Sequence, residues 1–203
     1  TWQSLSRDPE DWEELIAYLP SCFKCIPLSY PFSIQKHAPC SSTFLIGYSM
    51  GGRIALSYPH PKVIISSHLG LNTLQERKKR AQEEAYWIKK LETLPLTQFI
   101  DQWYAQPLFD SLRAHPNFET LSQRRKNQDK NVVLQQLKNH PLSLQPKYKK
   151  NSSTLFLYGE KDEKYKHHLD SFGKKIENAG HACFLENPQQ CAQLIKEFVD
   201  YVN

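Results

Sequence analysis

A chain of 203 residues is long enough for one domain with a sizeable hydrophobic core and somewhat short for two. Its 26 basic and 21 acidic residues give a net charge of +5, which suits an anionic small molecule, and no nucleic-acid-binding motif accompanies the basic clusters. No apolar run approaches the roughly 18 residues that a membrane-spanning helix needs. We therefore predict a small-molecule partner, with neither nucleic acid nor membrane insertion, and leave the oligomeric state open.

The cysteines favour a cytoplasmic protein. Five of them at irregular spacing do not form the disulfide framework of a small secreted domain. Cys22 and Cys25 have the spacing of half a zinc site or of a redox pair, but no second pair follows them. We interpret them as thiols without a chemical role and predict no metal site.

The first elements alternate between helix and strand. Asp8 and Pro9 open a predicted helix with a capping residue and a proline in the first turn, and Trp12 and Leu15 lie on its apolar face. Continuous apolar runs then indicate strands buried on both faces of a parallel sheet. These runs are residues 23–28, 43–46, 63–65 and 154–158. The alternation predicts an α/β fold.

Residues 72–138 interrupt this alternation, because their apolar residues recur with helical periodicity and no convincing strand occurs among them. We predict a helical cap there, inserted into a core formed by residues 1–71 and 139–203. After the cap we expect a strand ending at Gly159, a helix around 165–172, a short strand near 175–177 and a closing helix from about 188 to 201.

The segment Gly47-Tyr48-Ser49-Met50-Gly51 is a G-x-S-x-G pattern between a buried strand and an apolar helix. A nucleophile elbow needs a strained turn at this place, and glycines let the backbone crowd together there. The helix that follows directs the Met50 amide towards a developing oxyanion. The order of strand, motif and helix predicts Ser49 as the reactive residue.

A serine needs a base to become reactive, and in this arrangement the partners follow in the order acid, then histidine. Asp162 lies directly beyond a buried strand, and His181 lies in a loop before the last helix. Competing histidines fit less well, since His167 and His168 lie in a charged helix and His60, His115 and His140 lie next to prolines. His68 ends a strand near the same edge and can line the pocket without being the base. We predict a Ser49, Asp162 and His181 triad.

The heptapeptide from Gly47 to Arg53 resembles the elbow of the MenH family, the 2-succinyl-6-hydroxy-2,4-cyclohexadiene-1-carboxylate synthases of menaquinone biosynthesis. The likeness extends roughly from Trp12 to the C-terminus. Residues 75–87 and 95–109, together with the arginine pair before residue 127, resemble the family's cap, and residues 159–162 and 179–188 resemble its acid and histidine loops. The resemblance implies an α/β-hydrolase fold, with a mostly parallel sheet flanked by helices and a helical cap.

The resemblance also implies a lyase that eliminates pyruvate from a succinyl-enolpyruvyl-cyclohexene carboxylate, without metal or organic cofactor. Ser49, activated by His181 and Asp162, would then remove a ring proton rather than accept an acyl group. Guanidinium groups bind carboxylates bidentately, which suits arginines to such a substrate. The implied substrate-binding residues are Tyr48, Met50, Arg53, Arg80, Trp103, Tyr104 and Arg125. Arg124 is the alternative to Arg125, and the residues alone would place each arginine on a solvated helix face.

One part of the family pattern has no counterpart. The His-Gly-Phe loop that supplies the family's second oxyanion donor is absent before Trp12, so we expect the first strands and part of the oxyanion hole to be missing. Two alternative functions follow from the residues. The same triad suffices for a serine carboxylesterase or thioesterase, and a relative without the oxyanion loop could bind a carboxylated ligand without catalysis. The arginines favour the lyase, because a simple esterase does not need them.

Overall fold

The computed structural model describes residues 2–5, 9–28 and 43–202, with side chains from residue 10 onward. Its sheet has six strands in the order β2-β1-β3-β4-β5-β6, and every neighbouring pair is parallel. The strands are β1 Trp2–Leu5, β2 Cys25–Leu28, β3 Phe44–Tyr48, β4 Lys62–Ile65, β5 Thr154–Gly159 and β6 Lys174–Ile176. All their carboxyl ends therefore meet at one edge, which is where parallel sheets place their ligands.

The helices separate these strands or follow one another between β4 and β5. They are α1 Glu13–Tyr18, α2 Met50–Ala55, α3 Leu74–Thr93, α4 Leu96–Tyr104, α5 Asp110–Arg113, α6 Phe118–Lys126, α7 Lys130–Asn139, α8 Glu163–Leu169, α9 Cys183–Glu186 and α10 Pro188–Val202. Short 3-10 turns lie at Pro9–Trp12, Pro107–Phe109 and Leu142–Leu144. Among the described helices, none has the length and apolar character needed to cross a membrane.

The chain forms two compact units. The first combines Thr1–His68 with Lys150–Asn203 and contains the sheet, and the second is Leu69–Lys149. The finer division into a core of residues 1–71 and 139–203 and a cap of residues 72–138 stays a prediction.

The core of the first unit surrounds strands β3, β4 and β5. Leu45, Val63, Ile64 and Leu157 are fully buried, as expected of strands covered on both faces. The predicted α/β fold with a parallel sheet and flanking helices is confirmed. Each apolar side chain removed from water in this way contributes about 1.5–3 kcal/mol.

The start of the chain differs in detail from the expectation. Residues 9–12 form a 3-10 turn before α1 begins, and the expected cap Asp8 lies outside the described residues. Strand β1 was not expected, since Trp2-Gln3-Ser4-Leu5 is not a continuous apolar run, yet its backbone pairs with both β2 and β3. The expected lack of a second oxyanion donor concerns the residues before Trp12, of which residues 1 and 6–8 lie outside the described part, and it stays a prediction.

The second unit consists of helices, and residues 72–138 contain no strand. Helix α3 begins at a capping box, in which Thr73 accepts from the Glu76 amide and the Glu76 carboxylate accepts from the Thr73 amide. An aromatic cluster joins α3 to α4, with ring centroids 5.0 to 6.0 Å apart among Trp87, Phe99 and Trp103. Such ring pairs contribute about 0.5–1.5 kcal/mol each beyond their buried area.

One arginine joins the beginning and the end of this second unit. The Arg77 guanidinium donates to the carbonyls of Leu71, Ser143 and Gln145 at 2.8 to 3.1 Å. Nearby, the Tyr148 amide donates to the Leu69 carbonyl at 2.7 Å. The two segments through which the chain enters and leaves the unit are therefore hydrogen-bonded to each other.

Candidate active site

Three loops at the carboxyl edge of the sheet carry the predicted triad. Ser49 directly follows β3, Asp162 follows β5, and His181 follows β6. His181 Nδ1 lies 2.8 Å from Asp162 Oδ2, and His181 Nε2 lies 3.1 Å from Ser49 Oγ. His181 and Asp162 are each 2% exposed, whereas Ser49 is half-buried. The structure thus brings the three residues into one hydrogen-bonded chain, with the serine hydroxyl at its accessible end.

Ser49 has a backbone conformation that residues with a side chain rarely adopt, with φ of 50° and ψ of −111°. Such a conformation costs about 1–3 kcal/mol, and its neighbours hold it in place. The Ser49 amide donates to the Ile65 carbonyl on the adjacent strand at 2.9 Å. A Cβ on Gly47 would lie 2.6 Å from both the Gly51 carbonyl oxygen and the Gly52 Cα, so the turn requires glycine there.

A second serine supports this turn from the neighbouring strand. Ser67 is fully buried, and its Oγ donates to the Ser49 carbonyl at 2.7 Å. A Cβ on Gly52 would lie 2.7 Å from the Ser67 Cβ, so helix α2 packs directly against it. Ser67 is not among the site residues predicted from the sequence. Its signal is its position just after β4, the strand next to the one that carries the elbow.

Both oxygens of the Asp162 carboxylate have partners. Oδ2 faces His181, and Oδ1 accepts from the Tyr165 amide at 3.2 Å, which makes Asp162 the N-cap of α8. An N-cap carboxylate is held by the helix that it caps. The acid is therefore fixed in orientation by the start of α8 while it orients the histidine ring.

The loop that carries His181 is held by two glutamates. Glu186 Oε2 accepts from the Gly180 amide at 2.9 Å, and Glu160 Oε2 accepts from the Asn178 amide at 3.1 Å. Asn178 has φ of 58°, a left-handed conformation that asparagine tolerates better than most residues. The Asn178 amide, and after it the Lys175 ammonium, lower the pKa of Glu160 below the usual 4.5. Ionised Glu160 therefore stabilises the observed conformation of the loop that carries His181.

Two tyrosines contact the His181 ring. The Tyr165 ring stacks on it with centroids 5.0 Å apart, and the Tyr48 ring lies at 5.2 Å with a tilt of 53°.

His68 is 9% exposed and packs edge-on against His168 at 4.5 Å. Its expected place in the pocket wall stays a prediction.

The other predicted binding residues are divided between the two units. In the first, Tyr48 precedes the serine, Met50 is the first residue of α2, and Arg53 lies on that helix and is half-buried. The Met50 amide is therefore at the helix N-terminus, as expected for an oxyanion donor. Arg53 follows Ser49 by one helical turn, and its amide donates to the Ser49 carbonyl at 3.2 Å.

In the second unit, Arg80 is bound to two acids of its own helix, with Nε 2.9 Å from Glu84 Oε1 and Nη1 3.5 Å from Glu83 Oε2. Trp103 belongs to the aromatic cluster already described. Tyr104 packs against Phe109 and lines a cavity of about 310 Å³.

Arg124 and Arg125 lie in the last turn of α6. Arg125 is 5% exposed, unlike the solvated position that its residue type alone would suggest. Burial of a guanidinium is costly unless it is paired, so this side chain has a more specific environment than a surface arginine. The substrate-binding roles of Arg80, Trp103, Tyr104 and Arg125 stay predictions.

Among the residues that the structure describes, no group of three or more histidine, cysteine or acidic side chains is arranged to hold a metal ion. Cys22 is exposed and Cys25 half-buried, and both are free thiols.

Comparison with known proteins supports one family. The 2-succinyl-6-hydroxy-2,4-cyclohexadiene-1-carboxylate synthase of Escherichia coli O1:K1 is 31% identical over 160 residues, which are 71% of this chain and 63% of that protein. A Haemophilus influenzae protein that carries the same name provisionally is 28% identical over 93% of this chain and 92% of its own length. The chain matches no family model.

A solved structure supports the fold. MenH from S. aureus superimposes with a TM-score of 0.86, covering 98% of this chain and 92% of that one at 21% identity. At 21% identity the superposition supports the fold alone, and the assignment to a family rests on the curated relatives. The chain belongs to the MenH family of 2-succinyl-6-hydroxy-2,4-cyclohexadiene-1-carboxylate synthases, which are enzymes of the α/β-hydrolase fold.

Proposed function

We propose that this enzyme eliminates pyruvate from a succinyl-enolpyruvyl-cyclohexene carboxylate to give 2-succinyl-6-hydroxy-2,4-cyclohexadiene-1-carboxylate. The observation that carries the proposal is the chain of contacts from Ser49 Oγ through His181 to Asp162, at 3.1 and 2.8 Å. These distances are short enough for a proton to pass from Ser49 to His181. The names of the curated relatives supply the product.

The reaction needs one proton removed and one returned. His181 Nε2 accepts the Ser49 proton, and the serine oxygen removes a proton from the ring carbon. The electron pair of that C–H bond forms the new double bond of the ring, and the C–O bond to the enolpyruvyl group breaks. The leaving enolate takes up, on its methylene carbon, the proton that His181 holds and becomes pyruvate, which returns Ser49 and His181 to their starting states. Asp162 keeps the imidazole in the tautomer that can accept at Nε2, because its carboxylate holds the Nδ1 proton.

The elbow supports the same step. Negative charge that develops on a substrate oxygen would be met by the Met50 amide at the start of α2, where free amides and the helix dipole favour an anion. Removing one such donor typically costs about 10²- to 10³-fold in rate. The strained backbone at Ser49 fixes its hydroxyl before substrate arrives, so little reorganisation is needed.

Arginines would bind the substrate carboxylates. Arg53 is the best placed in sequence, one turn after Ser49 on the same helix. Arg125, or Arg124 beside it, and Arg80 are further candidates, and the two acids that already bind Arg80 would compete with a substrate carboxylate there. We therefore expect substitution of Arg53 or Arg125 to weaken substrate binding more than substitution of Arg80.

The second candidate is a serine carboxylesterase or thioesterase. The half-buried Ser49 hydroxyl beside an oriented imidazole is also what acyl transfer requires. In that case Ser49 would accept the acyl group and water would release it.

The cytoplasmic location, the small carboxylated substrate and the lack of a nucleic-acid partner remain predictions, whichever of the two reactions the enzyme performs.

Release of pyruvate from the enolpyruvyl substrate tests the proposal. We expect turnover by the wild-type protein, loss of at least about 10³-fold in Ser49→Ala, and a raised KM in Arg53→Ala with partial recovery in Arg53→Lys. Lys79→Ala, an exposed cation on α3, serves as the charge control and should behave as wild type. Folded protein that hydrolyses p-nitrophenyl esters rapidly, releases no pyruvate and is indifferent to Arg53→Ala would establish the esterase instead.

A further inference from the structure

One aromatic side chain outside the predicted triad contacts both of its buried members. Tyr165 is the third residue of α8, and its amide donates to Asp162 Oδ1 at 3.2 Å. Its ring stacks on the His181 imidazole, with centroids 5.0 Å apart and planes inclined by 30°. The tyrosine is itself 7% exposed. A single residue thus holds the acid by its backbone and the histidine by its ring.

We propose that Tyr165 is a positioning residue, which keeps the His181 ring aligned between Asp162 and Ser49 and stabilises the imidazolium that forms when the serine gives up its proton. The inference rests on the proposed triad and not on the identity of the substrate. It assigns no contact between Tyr165 and the substrate.

The physical basis is the charge distribution of an aromatic ring. Its face is negative, so a cation that rests on it is attracted, and the attraction grows when water is excluded. His181 is neutral before the proton transfer and positive after it, so the stacked Tyr165 ring favours the second state over the first. An interaction that is stronger after proton transfer lowers the barrier to that transfer.

The other groups around the two rings are compatible with this role. Asp162 is the acid in contact with the imidazole, Ser49 faces its Nε2, and Tyr48 meets the ring at a tilt. Glu186 binds the adjacent Gly180 amide.

On its own helix, Tyr165 is faced by two further groups. The exposed Lys164 has its Nζ 5.8 Å from the centroid of the Tyr165 ring, and the His168 ring lies at 6.4 Å. Both would keep these positions if tyrosine were replaced by phenylalanine. That replacement therefore isolates the aromatic face from its hydroxyl.

Two substitutions separate the ring from the rest of the residue. Tyr165→Phe keeps the aromatic face, and Tyr165→Leu removes it while retaining the amide that binds Asp162 and most of the buried apolar volume. Leu169→Ala is the matched control, because Leu169 is 1% exposed on the same helix and belongs to no part of the triad. It loosens α8 without removing the ring from His181.

The readout is the rate at which phenylmethylsulfonyl fluoride sulfonylates Ser49, measured from about pH 5 to 9 across the range in which histidines titrate. This reaction requires the serine and its base but no natural substrate. Tyr165→Phe should stay within about twofold of wild type. Tyr165→Leu should react about three- to fivefold more slowly on the alkaline plateau, with the midpoint shifted to lower pH by roughly half a unit.

Leu169→Ala should lower the melting temperature and leave the midpoint of the profile in place. If Tyr165→Leu does the same, with a wild-type plateau and midpoint, the residue is structural and the proposal is overturned. Should Tyr165→Leu not fold, Tyr165→Met fills similar volume without an aromatic face and must give the same slower rate and lower midpoint. A wild-type protein that the reagent never modifies overturns the triad and this inference together, whereas normal modification without pyruvate release overturns only the proposed substrate.

Discussion

Replacing Gly47 by alanine should disable the serine through a clash that the backbone cannot avoid. The new Cβ would lie 2.6 Å from the Gly51 carbonyl oxygen and from the Gly52 Cα. Ordinary contacts between such atoms are about 3.5–4.0 Å, so the elbow and the start of α2 must separate by roughly 1 Å. Overpacking of this kind typically costs about 1–3 kcal/mol of unfolding free energy.

The same displacement should have a larger effect on catalysis, because Ser49 lies between the two segments that move apart. A misplacement of about 1 Å at a reacting group can cost about 10²-fold in rate. We therefore expect Gly47→Ala to lose about 10²-fold in kcat for pyruvate release, and about 1–3 kcal/mol in urea unfolding.

Gly173→Ala is the control for adding a methyl group elsewhere in the first unit. Its Cβ would meet Leu169 O at 3.0 Å and a Tyr158 ring carbon at 3.1 Å, so shifts of a few tenths of an ångström suffice. We expect a smaller loss of stability and wild-type kcat. If Gly47→Ala proved as active and as stable as wild type, the elbow would not have the close approach described above.

Three further predictions concern the groups around the triad. Ser67→Ala should lower kcat by about tenfold and unfolding free energy by about 1–2 kcal/mol, since the Ser49 carbonyl loses one of its two donors; unchanged kinetics would contradict this. Pyruvate release should rise as His181 loses its proton, and a flat profile between about pH 5 and 8 would exclude it as the base. The pKa of Glu160 is lower in the folded protein than its usual value of 4.5. Ionised Glu160 therefore stabilises the folded protein fully above pH 4.5, and this stabilisation is lost as the pH falls through the pKa of the folded state. Glu160→Gln should therefore lose less melting temperature than wild type on acidification from about pH 6 to 3, and an equal loss would show that this carboxylate does not hold the loop.

The placement of Ser49, Asp162 and His181 could be predicted from the sequence because each of them follows a recognisable element. A buried apolar strand precedes Ser49, another precedes Asp162, and parallel strands end at one edge by geometry. The order of the three along the chain then limits the choice of base among the histidines. The α/β fold followed from the same continuous apolar runs.

Other parts of the site depend on contacts that no local pattern encodes. Strand β1 is held by backbone pairing with its two neighbours, so its composition gives little signal. The hydrogen bond from Ser67 to Ser49 and the stacking of Tyr165 on His181 join residues that are distant in sequence. Side-chain partners of this kind become visible only once the strands and loops have been placed in three dimensions.

The hydrogen bonds that close the second unit on itself bear on how such enzymes can be rebuilt. Arg77 and Tyr148 fasten the entering segment to the leaving one, so the whole insertion presents adjacent ends to the rest of the chain. Strands β4 and β5 keep an unbroken register, with Ile65 opposite Leu157, although the insertion separates them in sequence. A segment with joined ends can be exchanged as a cassette at little entropic cost. A different helical segment could therefore be grafted between residues 69 and 149 without redesigning the sheet.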